Sequence, residues 1–474
     1  MTSLLCARNW APMQKIDRFF TTVPYIFLIC LLTLLSNIFA VERIVYALFV
    51  LTGIYICLFA RDLLGLIPIV ICAYLAPSVG NNPGRNGQSA FSGASGVFLL
   101  CLGGALVIAL IVRVITDRKY FFGRKYKLLP GIVILGLAYL LSGLGSPAYP
   151  ALALKNLFFA FLQFAAIALP YVLLSGGVRW EKARSDYFAW TGFSVGGMLI
   201  LELAWIYLTG GVIVDGVIDR DFIFTGWGIH NNLGAMLAMM IPFAFWLAAK
   251  YHKGWIGSVA GCVFLAGVFM TCSRSAILAG CAVFLICIAA MLTKASNRRG
   301  NGRALLILTA IVLLLVLIFR NQLLQLFDGL ISKGLDPSNR DDIYAAGLKQ
   351  FVKYPIFGGS FYPIDFSPWD WSTESAFSNF FPPRWHNTVV QLLASCGVVG
   401  LLAYGVHRYQ TVRLLIRNRC RQTVFLGCSI LALLLTSFLD CHLFNIGPAL
   451  FYAMALAVAE NALGKKETDL ENPV

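Results

Sequence analysis

The sequence predicts an all-α, polytopic bundle of about 14 transmembrane helices with one large extracytoplasmic loop containing short amphipathic helices. Three observations carry that prediction. Of 474 residues, 59% are hydrophobic and only 12% charged, about half the charged share of an ordinary soluble domain. Apolar runs near the ~20 residues that span a bilayer recur along the chain. The basic residues, which give a net charge of +15, fall in alternate loops, as membrane orientation requires.

The apolar runs lie at 22–40, 43–60, 62–79, 95–116, 128–145, 153–175, 187–209, 230–249, 254–271, 274–293, 303–320, 387–404, 422–439 and 443–460. The first lacks the small-residue cleavage site of a signal peptide and is read as a span. The second and third are nearly continuous, so a re-entrant hairpin is an alternative there. The 13 cysteines sit mostly inside these runs and show neither metal-ligand spacing nor a disulfide framework.

An even count places both termini on one side. With that side cytoplasmic, 26 of the 37 Lys and Arg face inward, including Arg113 to Lys127 and Arg408 to Arg421. The inner face then carries +17 and the outer face −1, with Glu202 inside a span. Arg118-Lys119 with Arg124-Lys125, and Arg408 to Arg421, are read as loops anchored on anionic headgroups, which leaves no need for a nucleic-acid partner. His252 and His407 fall on this inner side and read as solvated loop residues.

The longest non-spanning segment, 321–386, is expected outside. Loops of this length are usually functional or disordered. Arg340 to Lys353 reads as an amphipathic helix, with Ile343, Tyr344, Gly347, Leu348, Phe351 and Val352 recurring every three to four residues. Asp336 to Asn339 offers turn and cap residues before it, and Pro355 stops it. From Phe357 to Trp385, ten of 29 residues are aromatic. Such rings favour a membrane interface and can also stack on sugars, and an interfacial lid without a binding role explains them equally.

Three histidines, His230, His386 and His442, fall at the outer edge. Histidine titrates near neutral pH and suits general-base work, though each also reads as a cap or core residue. Outer arginines are few. Arg274, in the short turn Thr271-Cys272-Ser273-Arg274-Ser275, is forced towards membrane depth, where an anion would offset its cost. Arg220 lies between Asp219 and Asp221, and a local ion pair is its plainer reading. Forked guanidinium groups suit diphosphate, and a membrane-embedded diphosphate would belong to a lipid carrier. A sugar on diphosphate already has a good leaving group, so one histidine base would suffice. The sequence shows no nucleotide loop and no carboxylate cluster for a cation, and no metal or cofactor is expected.

Four stretches give the sequence a resemblance to the O-antigen ligase/polymerase superfamily of bacterial membrane glycosyltransferases. They are Arg220 with Gly226 and His230-Asn231-Asn232-Leu233-Gly234, running on to Ile241-Pro242-Phe243; Thr271 to Gly280; Ser338-Asn339-Arg340 with Tyr354 to Gly359; and His386-Asn387 with Gln391-Leu392 and Gly397-Val398-Val399-Gly400. Together they cover about 200–450. The resemblance implies His386 as catalytic base and Arg220 and Arg274 as diphosphate ligands, with Arg340 grouped with them as a loop-motif residue. His230, Asn231, Ser273 and Asn387 stand beside these as supporting candidates.

The resulting expectation is a glycan transferase in a bacterial plasma membrane, with both termini cytoplasmic. It would move a glycan from an undecaprenyl-diphosphate carrier to an acceptor hydroxyl on a lipid, cell-wall polymer or growing glycan. Residues 1–200 would supply N-terminal spans, 201–460 the ligase-like domain with its loop, and 461–474 a polar tail. The sequence does not separate a ligase from a polymerase. A lipid-linked-sugar flippase is the rival from another class. It calls for an internal repeat and buried mid-span charge, of which only Glu202 is found.

Overall fold

The computed structural model describes residues 11–76, 93–147, 149–180, 184–214, 217–225, 228–251, 254–294, 340–361 and 384–463, with scattered positions between 300 and 320. The described chain is helical. In order run α1 (Ala11–Phe20), α2 (Val23–Phe39), α3 (Glu42–Phe59), α4 (Leu66–Leu75), α5 (Gly93–Thr116), α6 (Arg118–Phe122), α7 (Leu129–Leu140), α8 (Tyr149–Gly177) and α9 (Ser185–Thr209). Then follow α10 (His230–Lys250), α11 (Trp255–Met270), α12 (Arg274–Lys294), α13 (Arg340–Lys353), α14 (Thr388–Arg417), α15 (Arg421–Ser437) and α16 (Ile446–Asn461). Between α9 and α10 lie two tiny antiparallel hairpins, Ile213–Val214 with Val217–Ile218 and Phe224–Thr225 with Gly228–Ile229.

Among the described residues, seven helices are long and apolar enough to cross a bilayer: α3, α5, α8, α9, α10, α12 and α14. The pair α1/α2, bent by 65°, makes an eighth if taken as one span. Five shorter apolar helices of 10–17 residues accompany them: α4, α7, α11, α15 and α16. The chain is a multi-pass membrane protein. Each apolar run read from the sequence coincides with one of these helices except 303–320, most of which lies outside the described residues.

Helix α10 is the axis of the fold. It is apolar on every face and 94% buried, as expected of a helix wrapped by others, and α9, α11, α12 and α15 pack around it. Glycines permit the closest approaches. A Cβ at Gly192 would meet the Phe243 ring at 2.4 Å, and one at Gly234 would meet Thr271 Oγ1 at 2.7 Å. The second contact seats the α11–α12 turn against the first turns of α10.

The helix Arg340–Lys353 forms over the residues its periodicity predicts, and it packs on α14. Its buried face is Ile343, Gly347 and Gln350, whereas Leu348 and Val352 are exposed. The expected apolar stripe is therefore divided between the bundle and the surroundings. After α13 the chain turns into the bundle and pairs with a break in α14. Gly397, at φ 65° and ψ −159°, interrupts α14. Gly359 N donates to Ala394 O (2.8 Å), Val398 N to Pro355 O (2.9 Å) and Gly143 N to Phe357 O (2.8 Å). Phe361 N donates to Asn156 Oδ1 at 2.9 Å. Non-helical backbone at membrane depth survives only where protein satisfies it, and here four partners do so. Of the aromatic segment, Phe361 and Trp385 are buried; residues 362–383 lie outside the described residues, as does the proposed cap at 336–339.

Two inner-side expectations are corrected. His407 is not a solvated loop residue: it is buried in α14, and Nε2 lies 2.8 Å from Tyr452 Oη. Arg408 is not a headgroup anchor, because its guanidinium lies between the Tyr404 and Tyr452 rings at 4.6 and 4.7 Å. Arg113 is also buried, paired with Asp117 at 2.7 Å and donating to Ala60 O at 2.6 Å. For His407 and Arg408 the reason is that α14 continues past the apolar run 387–404, so residues read as loop lie on a packed helix. Glu202 is buried and accepts from Asn37 Nδ2 at 2.5 Å. Among the described residues every cysteine is a free thiol.

Candidate functional site

Five elements converge at one end of α10. They are the short helical turn Arg220–Phe222, the α11–α12 turn, the start of α13, the entry to α14, and the turn between α15 and α16. Arg274 is the first residue of α12, four residues after α11 ends. The turn is tight enough to hold Cys272 at φ 54°. Ser273 is buried beneath it, Oγ lying 3.4 Å from Ser275 Oγ. Arg340 is the first residue of α13. Arg220 and Arg340 both act with their positive charge on Arg274, so the fold gathers three cations that the sequence separates by 120 positions. Gathering like charges costs free energy, and an anion placed among them would relieve it.

His386 precedes α14 and adopts φ 47°, a left-handed conformation that costs a non-glycine residue roughly 1–2 kcal/mol. Neighbours hold it there. Asn387 caps α14, its Oδ1 accepting from Val389 N at 2.8 Å and Val390 N at 3.1 Å, while Nδ2 donates to Phe438 O at 2.8 Å. Tyr344 Oη of α13 donates to His386 O at 3.1 Å. Gln391 Oε1 accepts from Trp385 N at 2.9 Å and faces Cys441 Sγ at 3.6 Å. The α13 helix, the α14 entry and the α15–α16 turn are thereby tied together around one imidazole.

The imidazole Nδ1 lies 3.3 Å from Asp440 Oδ1. That is ion-pair distance, although the angle falls short of a well-formed hydrogen bond. Burial alone would raise the Asp440 pKa. His442 and His386, with the Cys441 amide donating to Oδ1 at 2.7 Å, outweigh burial and hold the carboxyl well below its usual range. Asp440 is therefore a carboxylate. With Nδ1 turned to it, Nε2 of His386 is the nitrogen left for chemistry, and the side chain is 31% exposed. His442 is 0% exposed. Burial lowers its pKa, opposed by Asp440 and reinforced by His386 and Arg340.

Asp440 and Asn232 were missed by the sequence reading. An acid two residues before an outer-edge histidine was a usable signal for the first. Asn232 Oδ1 lies 3.1 Å from His442 Nδ1 and accepts from Asn445 Nδ2 at 2.6 Å. The second asparagine of His230-Asn231-Asn232, not Asn231, therefore ties α10 to this turn. His230 is buried at the start of α10, as a helix-start residue. Among the described residues no group of three or more His, Cys, Asp or Glu is placed to hold a metal ion.

The arrangement offers a cationic cluster suited to a phosphoryl anion beside a carboxylate-backed imidazole that can take a proton. No curated protein matches the chain. The O-antigen ligase family model matches residues 259–405, a stretch that includes Arg274, Arg340, His386 and Asn387. Over this segment the chain is similar to the O-antigen ligase family, and the segment lies within a multi-pass membrane protein.

Proposed function

We propose that the protein is a metal-independent glycan transferase at the outer face of a bacterial plasma membrane. Its donor is a glycan on an undecaprenyl-diphosphate carrier, and its acceptor is a hydroxyl of a lipid, a cell-wall polymer or another glycan. The observation that carries this reading is the convergence of Arg220, Arg274 and Arg340 beside the His386–Asp440 pair. Nε2 of His386 removes the acceptor's hydroxyl proton, and the acceptor oxygen attacks the anomeric carbon. The bond from that carbon to the diphosphate oxygen breaks, and the diphosphate leaves with the bonding pair on its oxygen. The arginines hold the charge that develops there, and Asp440 stabilises the imidazolium that forms. Attack opposite the leaving group inverts the anomeric centre.

On this reading the full chain has 14 spans with both termini in the cytoplasm. Residues 201–460 are the catalytic domain, preceded by supporting spans and followed by a polar tail. Transfer to a lipid core or cell-wall polymer is a ligase activity, which we favour over polymerisation on the family match.

The test uses purified protein in nanodiscs with undecaprenyl-diphosphate-linked glycan from the host strain. His386→Asn keeps a polar side chain but no base. Carrier binding should persist while transfer falls by roughly 10²–10⁴-fold, the usual weight of a general base. Undiminished transfer by His386→Asn would remove the histidine from the mechanism.

A further inference from the structure

His442 has no part in the transfer step above, yet its surroundings are the most specifically built in the site. It sits two residues beyond Asp440, on the short turn His442–Phe444 between α15 and α16. Its ring is fully buried, so it cannot meet an acceptor as His386 can. Its Nδ1 lies 3.1 Å from Asn232 Oδ1. That oxygen also accepts from Asn445 Nδ2 at 2.6 Å, a contact that only an acceptor can make. An acceptor at 3.1 Å requires a proton on Nδ1, because two lone pairs would repel. Asn445 Nδ2 is farther from the ring, at 3.4 Å, and the shorter contact decides. Nε2 is then bare, and it is buried with no hydrogen-bond partner among the described residues. A second proton would place an unpaired cation in the protein interior, which is far costlier than an unpaired neutral nitrogen.

We propose that His442 is a positioning residue for the His386–Asp440 pair, held neutral as its Nδ1–H tautomer by Asn232. The anchor works on the backbone. Asp440, Cys441 and His442 are consecutive, so fixing the His442 ring to α10 fixes the turn that aims Asp440 at His386. The charged and titratable groups that act on His442 are Asp440, His386 and Arg340. This inference rests on the proposed role of His386, but the state of the His442 ring is measurable without transfer.

The chain has only five histidines, so ¹⁵N-histidine labelling of the full protein in bilayers gives a resolvable spectrum. Loss of a signal in His442→Gln identifies the ring. At neutral pH the wild type should show His442 with a protonated Nδ1 and a bare Nε2. Asn232→Ala should abolish that fixed tautomer, and transfer should fall by roughly tenfold, the effect of one lost hydrogen bond. Asn232→Asp keeps an acceptor for both His442 and Asn445, so Nδ1 should keep its proton, while the added carboxylate should raise the pKa of the ring. An Nε2–H tautomer in the wild type overturns the proposal, as does undiminished transfer in Asn232→Ala. Undiminished transfer by His386→Asn would instead sink the base assignment and leave the tautomer result intact.

Discussion

The imidazole of His442 and the carboxylate of Asp440 depart from ordinary values in the same direction, and the two should mark separate windows of acid instability. His442 is held neutral by burial. Its unfolded pKa is about 6.5, so the unfolded chain binds the proton first. The stability it contributes is complete above about pH 6.5 and is lost as pH falls towards its lower folded value. Asp440 is held below its ordinary range by His442, His386 and the Cys441 amide. Its contribution is complete above about pH 3.9 and declines only in stronger acid. Thermal unfolding in nanodiscs between pH 7 and 5 should therefore show a fall in Tm that His442→Asn reduces. An identical fall in the variant would mean that another group controls the window. The arginines give a second residue-scale expectation. Arg274→Lys keeps the charge but loses the fork that grips two oxygens, so affinity for the lipid-diphosphate carrier should drop about tenfold. Wild-type affinity would make Arg274 a headgroup anchor. The arginines and His386 were legible because cations and imidazoles are rare on the outer side of so apolar a chain. Asp440 and Asn232 were not, because a hydrogen-bond partner from another helix leaves no local signature.

At the scale of elements, the device that fixes the site is the union of two interrupted backbones. The α13 helix carries Arg340 and α14 begins just after His386, and the two are joined through the segment after Pro355 at the Gly397 break. A Cβ at Gly397 would lie 2.4 Å from Ile356 O, and one at Gly358 would lie 2.2 Å from the Ser395 carbonyl carbon. Both glycines also have positive φ. Gly397→Ala should then open the junction, lowering the thermal midpoint and impairing transfer together. Gly405→Ala, on the same helix where a Cβ meets open space, should leave both near wild type and serves as the control. The Asn387 cap makes a smaller contribution, and Asn387→Ala should cost about 1 kcal/mol in reversible unfolding. The amphipathic period of α13 foretold the helix from Arg340 to Lys353. It did not foretell which apolar residues turn inward, since period alone cannot tell a bundle from a bilayer.

At the scale of the molecule, the mechanism stands or falls with one topological claim: the cationic cluster must face the side where carrier-linked glycans are presented. With both termini inside, one face of the protein carries +17 and the other −1. Arginines on the nearly neutral face are not needed for orientation and are free to serve chemistry. The fold adds a constraint that charge counting lacks. Arg220, Arg274 and Arg340 interact electrostatically, and His386, Asp440 and His442 form a neighbouring group within reach of Arg340. These residues must therefore lie on one side of the membrane. A single-cysteine series at Arg220, Tyr344 and Tyr354, in a chain whose native cysteines are replaced, tests this directly in intact cells. All three positions should be blocked by a membrane-impermeant maleimide added outside. Cysteines at Arg413 and Arg417, which are exposed on the opposite end of α14, should react only after the membrane is opened. Labelling of the first set from outside with protection of the second fixes α14 as a span and places His386 outside. Protection of Tyr344 and Tyr354 would put the imidazole in the cytoplasm, where an outer-leaflet glycan cannot reach it.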